Sequence, residues 1–130
     1  MPEQDYEGRA ASIASADLRE RWDDVRHGNF SDHKLADSRA KVVQAVERCE
    51  ARLADREWLM GDFSIADLET YAWLSGMTEL VPEAFENAPQ THIWLQRVRS
   101  RRSVAQSLAL ATAVAPETSW VPGPEINRWG

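Results

Sequence analysis

The chain has 130 residues, 43% of them hydrophobic and 28% charged, with 21 acidic against 15 basic side chains and a formal net charge of −6. That length is one domain's worth, able to bury roughly two-thirds of its unfolded surface without a metal or disulfide framework. The acidic balance excludes nucleic acid as the main partner, because phosphates demand a basic footprint, and no apolar run approaches the roughly 20 residues of a membrane span.

The opening Met1-Pro2-Glu3-Gln4-Asp5 is polar and acidic, unlike a signal peptide. Periodicity then predicts a first helix over residues 5–26 with two apolar stripes. Ala11, Ala14, Leu18, Trp22 and Val25 follow helical spacing and are expected to face the core. Tyr6, Ala10 and Ile13 follow the same rule on a face turned about 100° away. Their stripe ends at Asp17, so the first half of this helix either lies under a second layer or lines a cleft. His27-Gly28-Asn29 is a stop signal, with Gly or Asn able to take the left-handed cap. Asn29-Phe30-Ser31 matches a glycosylation acceptor, a coincidence without an export signal.

Ser31 or Asp32 is expected to cap a second helix over residues 33–54. Its core stripe is Leu35, Val42, Val46, Cys49 and Leu53, with Val43 on the shoulder. Arg39, beside the stripe, either snorkels over its aliphatic stem or pairs with an acid across a subunit interface. Cys49 is the single cysteine. It excludes an intramolecular disulfide, reads as a small core residue, and fits a reducing, cytoplasmic setting.

A tight loop, Glu57-Trp58-Leu59-Met60-Gly61-Asp62, precedes Phe63-Ser64-Ile65-Ala66-Asp67. Ser64 is an N-cap whose hydroxyl can accept from a backbone N–H two or three residues on. Asp67 can reach back to the N–H of Ser64, a variant of the capping box. Phe63 and Leu68 stand at the positions of a hydrophobic staple. As a cap partner alone, Asp67 is expected to be worth about 1–2 kcal/mol. The third helix, over residues 65–80, is apolar nearly all round, which marks it as the central helix of a bundle. Ser75 and Gly76 are small enough for a neighbour to approach closely.

Pro82 and Pro89 bracket a loop, and Pro89 suits the first turn of a fourth helix over residues 89–100, with Trp94, Leu95 and Val98 inward. Arg97, Arg99, Arg101 and Arg102 are either a solvated helix end, where positive charge suits the dipole, or an anion site. Ser103 is expected to cap a short fifth helix with Val104 and Leu108 inward. From Ala115 on, Pro116, Pro122, Gly123 and Pro124 exclude regular structure. Trp120 and Trp129 in this tail suggest that it folds back. The fold class is therefore all-α: a bundle of about five helices over residues 1–113 and a Pro-rich tail over residues 114–130.

Independent chemistry is hard to find. His27, His33 and His92 are scattered, and no cluster has metal-site spacing, so no metal is expected. There is no phosphate loop, nucleophile elbow or Cys pair.

The stretch from Trp58 to Trp73, Trp-Leu-Met-Gly-Asp-Phe-Ser-Ile-Ala-Asp-Leu-Glu-Thr-Tyr-Ala-Trp, resembles the "WL-GD-SIAD" signature of the glutathione transferase C-terminal domain. Pro89 through Arg97 is similar to that family's "P-x-x-x-x-W-x-x-R" helix, and Ser103-Val104 falls where the family reads "R-P-x-V", with Arg102 in place of the Pro. The tail is similar to the ends of some bacterial members. The resemblance implies an all-helical domain that in the family follows a thioredoxin-like domain, which carries the catalytic residue and most glutathione contacts. Nothing in this chain reads as that domain, so no catalytic residue is assigned and the chain is expected to be non-catalytic alone. It is expected to contribute a surface for an apolar small molecule and an interface for a thioredoxin-like half or partner. Glutathione itself enters as an expectation of the resemblance only. Tyr6, Arg9, Ala10 and Ile13 fall where the family's pocket wall would lie; the competing reading is a surface that the other domain covers. Two alternatives stand beside this one. One is a stand-alone dimerisation module, and the other is part of an active transferase conjugating glutathione to apolar electrophiles.

Overall fold

The structure, a computed structural model, describes residues 3–111 and 116–118; the expectations for Trp120, Trp129 and the rest of the tail lie outside the described residues. The described residues divide into two compact units, 3–35 and, together with 116–118, 36–111. No strand occurs among the described residues.

In the first unit the single helix expected over residues 5–26 is two helices, α1 (Glu3–Ser12) and α2 (Ala16–His27). Ser15 causes the break. Its backbone is extended, and its hydroxyl accepts from the Leu18 N–H at 3.3 Å. A serine that caps a new helix offers the backbone an alternative to continuing the old one. The break also mixes the stripes, Trp22 and Leu18 of the expected core face joining the second stripe. Tyr6 and Ile13 are buried with Trp22, and Ala10 and Leu18 pack beside them, whereas Ala11, Ala14 and Val25 are exposed. The Tyr6 and Trp22 rings stack at 5.8 Å, and the Tyr6 hydroxyl donates to Asp23 at 2.5 Å. Gly28, at φ +66°, closes α2 with its N–H on the Asp24 carbonyl.

The helix α3 (Asp32–Leu53) starts at Ser31, whose hydroxyl accepts from the Lys34 N–H at 3.2 Å. Leu35 is exposed, more than a turn before the first buried position of this helix. Val42, Val46, Cys49 and Leu53 are buried and form one wall of the main core. Arg39 pairs with Glu83 of its own chain, so its charge is engaged without a second subunit.

The third expected helix is also divided, into α4 (Ile65–Leu74) and α5 (Met77–Leu80), with a buried Gly76 at the junction. Glycine is costly inside a helix, and the Thr78 hydroxyl takes the Ser75 carbonyl at 2.9 Å. Nor is α4 buried all round. Asp67, Tyr71 and Leu74 form its buried stripe, while Ile65 and Trp73 stay 68% and 42% exposed. A 3₁₀ turn (Pro82–Phe85) leads to α6 (Pro89–Arg99), which buries Thr91, Trp94, Leu95 and Val98. Ala88 has no side chain with which to cap α6. Glu50 of α3 does so instead, accepting from the Gln90 N–H at 3.1 Å and from the Thr91 N–H and hydroxyl at 2.8 Å each. The last helix, α7 (Arg102–Leu110), is capped at Arg101 without a side-chain hydrogen bond, not at Ser103. Pro116–Thr118 forms a second 3₁₀ turn.

The turn before α4 is closed by the Gly61 N–H on the Trp58 carbonyl at 2.9 Å, with Gly61 at φ +94°. Phe63 meets Trp58 edge-on at 5.0 Å, and the Arg101 guanidinium lies 3.5 Å over the Phe63 ring. Leu68 packs against the main core. Thus the two staple positions serve different neighbours.

Asp67 is fully buried and holds this region together. One carboxylate oxygen accepts from the Ser64 N–H at 3.0 Å, reciprocating the Ser64 hydroxyl, which accepts from Ala66 at 3.3 Å. The other oxygen accepts from the Leu59 N–H at 3.1 Å and the Trp94 indole at 2.8 Å. Removing the carboxylate strands a buried indole N–H and a buried amide, each worth about 1–3 kcal/mol. We therefore expect Asp67→Ala to cost about 3–5 kcal/mol in urea denaturation, well above a cap alone. A loss no larger than about 1 kcal/mol, the value of an ordinary cap, would contradict this account.

Candidate functional site

Beginning about one turn after the Ser64 cap, α4 and α7 frame an open cleft of about 400 Å³. Leu68 and Ala72 of α4 and Val104 and Leu108 of α7 make its walls apolar. Ser75, Ser103 and Ser107 add hydroxyls, and Pro116 and Glu117 close one side. The cleft exists because α4 buries only one stripe, Asp67, Tyr71 and Leu74, leaving the next face to border α7. Val104 and Leu108, one turn apart, are half-buried and point the same way.

Tyr71 is the hinge of the electrostatics. It lies one turn beyond Asp67, and its phenol donates to Glu117 at 2.5 Å. Arg99 of α6 reaches the second oxygen of that carboxylate at 3.3 Å. Burial first, and the hydrogen bond to Glu117 second, hold the Tyr71 phenol far above the usual tyrosine range. It is a hydrogen-bond donor, not a base. On the far side of the same pair lies a smaller hollow of about 200 Å³, lined by Thr78, His92, Leu95, Gln96 and Arg99.

Of the site residues singled out in the sequence, Leu68 borders this cleft and the others fall elsewhere. Tyr6 and Ile13 are buried in the first unit against Trp22, Ala10 packs at the edge of that cluster, and Arg9 is exposed. Phe63, Ser64, Asp67 and Leu68 serve the turn, the cap and the core described above. The arginine cluster is divided. Arg97 donates to the Glu57 carbonyl at 2.5 Å and lies 5.6 Å over the Trp58 ring, Arg101 lies over Trp58 and Phe63, and Arg99 meets Glu117. Cys49 is buried, which pushes its thiol up and makes it a poor nucleophile. No group of three or more His, Cys, Asp or Glu able to hold a metal ion occurs among the described residues. No helix among them is long and apolar enough to cross a membrane. Sequence reading missed the pairing of Tyr71 with Glu117 because helical spacing assigned the tyrosine to the core and gave the tail no register.

Residues 23–102 match the family described as "Glutathione S-transferase, C-terminal domain", which is more than half of the chain. No curated protein and no solved structure matches it significantly.

The raised Tyr71 value sets a pH dependence. Above the ordinary tyrosine value of about 10 the unfolded chain loses the phenolic proton while the folded chain keeps it, so the folded state loses stability as pH rises. Below that value the contribution is fully present. Thermal midpoints measured across the alkaline range should therefore fall more steeply for the native protein than for Tyr71→Phe; parallel curves would contradict the assignment.

Proposed function

The chain belongs to the glutathione S-transferase C-terminal domain family, and from that premise we propose that it is a helical domain, non-catalytic alone, that supplies the apolar-ligand surface to a thioredoxin-like half or partner. The single observation that supports this most is the cleft between α4 and α7, with aliphatic walls, three serine hydroxyls and a fixed phenol. Such a lining, mostly apolar with a few convergent polar groups, suits a small organic molecule. No activated nucleophile faces it. Tyr71 stays protonated, so its phenol offers no base to activate the serines. Chemistry on a bound electrophile would have to come from a thiol held by the partner, with glutathione as the family's candidate.

Within the first unit Tyr6 and Ile13 are committed to Trp22 and Ala10 packs beside them, so of the four first-helix residues Arg9, which is exposed, is the candidate for a ligand contact. A cytoplasmic setting agrees with a single, buried Cys49 that has no second cysteine in the chain to pair with. A second reading, a homodimerisation module, draws on Ile65 and Trp73, apolar side chains that α4 leaves exposed.

Titration with a neutral apolar dye, followed by tryptophan fluorescence, should give a saturable change that Leu108→Arg abolishes by filling the cleft. No saturable change would overturn the ligand reading. Mixed with glutathione and a reactive aryl halide, the chain should give no turnover above background; measurable turnover would overturn "non-catalytic alone". Sedimentation velocity decides the second reading, which a strict monomer at every concentration would exclude.

A further inference from the structure

Two cavities meet at Tyr71, Ser75 and Glu117, one apolar and the other polar with a guanidinium. Glu117 stands on this shared border, its carboxylate accepting from the Tyr71 hydroxyl and paired with Arg99. We propose that this junction is a receptor for the carboxylate of a small apolar acid, aliphatic or aryl, and that Glu117 is its built-in competitor. The proposal rests on the cleft reading above and names the ligand class.

The geometry carries it in three steps. First, the receptor chemistry is already in use: a phenol donor and a guanidinium converge on one carboxylate, the pairing by which a bound acid would be fixed. Second, the two cavities differ in character on either side of that point. A ligand with its chain along Leu68, Val104 and Leu108 would bring its acid group to Tyr71 and Arg99. Third, the exchange is balanced in charge. An incoming carboxylate replaces another, and Glu117, whose side chain is 20% exposed, moves to water, where it is readily solvated. A protein with net charge −6 repels anions in general, so recognition of one depends on this local pair. Burial keeps the phenol protonated and therefore always a donor.

A tethered carboxylate competes at an effective concentration on the order of millimolar, which masks the site in the native chain. Calorimetric titration of the full chain with decanoate and with decanol tests this. Glu117→Ala should tighten decanoate binding about tenfold and leave decanol unchanged, as expected from removing such a competitor. Adding Arg99→Met to Glu117→Ala should abolish the decanoate gain and again spare decanol. Where Glu117→Ala fails to fold, by thermal midpoint, Glu117→Gln keeps the shape and should shift decanoate in the same direction. Equal changes for the acid and the alcohol, or indifference of decanoate to Arg99→Met, would overturn the proposal while leaving the cleft reading intact. Failure of both probes to bind any variant would overturn the two together.

Discussion

One buried carboxylate organises the second unit. Asp67 has no exposed surface, yet its two oxygens are together met by donors from three separate pieces of chain: the Trp58–Asp62 turn through Leu59, the start of α4 through Ser64, and α6 through the Trp94 indole. A charge so placed is tolerated only when its hydrogen bonds are made, and the cost of stranding it is what enforces the arrangement. It fixes where α4 begins and which way it is turned. Tyr71, four residues on, is then held on the buried stripe, and the cleft opens on the adjacent face.

The same logic of distant partners recurs with the other charges. Arg97 and Arg101 spend their guanidinium groups on Trp58, Phe63 and the Glu57 carbonyl, so part of what looks like a basic patch is internal scaffolding for the turn. The aromatic faces supply the negative counterpart that such groups seek. Arg99, two residues from Arg97, takes a different task because it faces Glu117 instead.

Much of the fold was legible in the residues. The cap at Ser64, the inward face of α6 and the buried stripe of α3 from Val42 onward follow from spacing and capping chemistry, and so does the all-helical class. The helix breaks were not. Both Ser15 and Ser75-Gly76 sit inside uninterrupted apolar periodicity, where a local serine or glycine effect of about 1 kcal/mol decides between continuing and restarting. Once α1 ended early, the stripe judged secondary became the buried one, since Tyr6 could now stack on Trp22. The cleft was the least legible part. Glu117 lies in a segment with no periodicity, and its pairing with Tyr71 spans 46 residues.

The cap on α6 has a consequence for the order of events in folding. Alone, α6 has eleven residues and an alanine at its cap position, shorter than the roughly 12–15 residues at which isolated helices become marginal in water. Its first turn is completed by Glu50, about 40 residues earlier in the chain. Helicity in α6 is therefore a tertiary property that must wait for α3 to be in position. Since Trp94 on α6 also supplies a donor to Asp67, the last hydrogen bond of that carboxylate is made only when α6 is docked. The segment that looks most self-contained in the sequence therefore has one hydrogen bond of its buried carboxylate supplied from 27 residues further on.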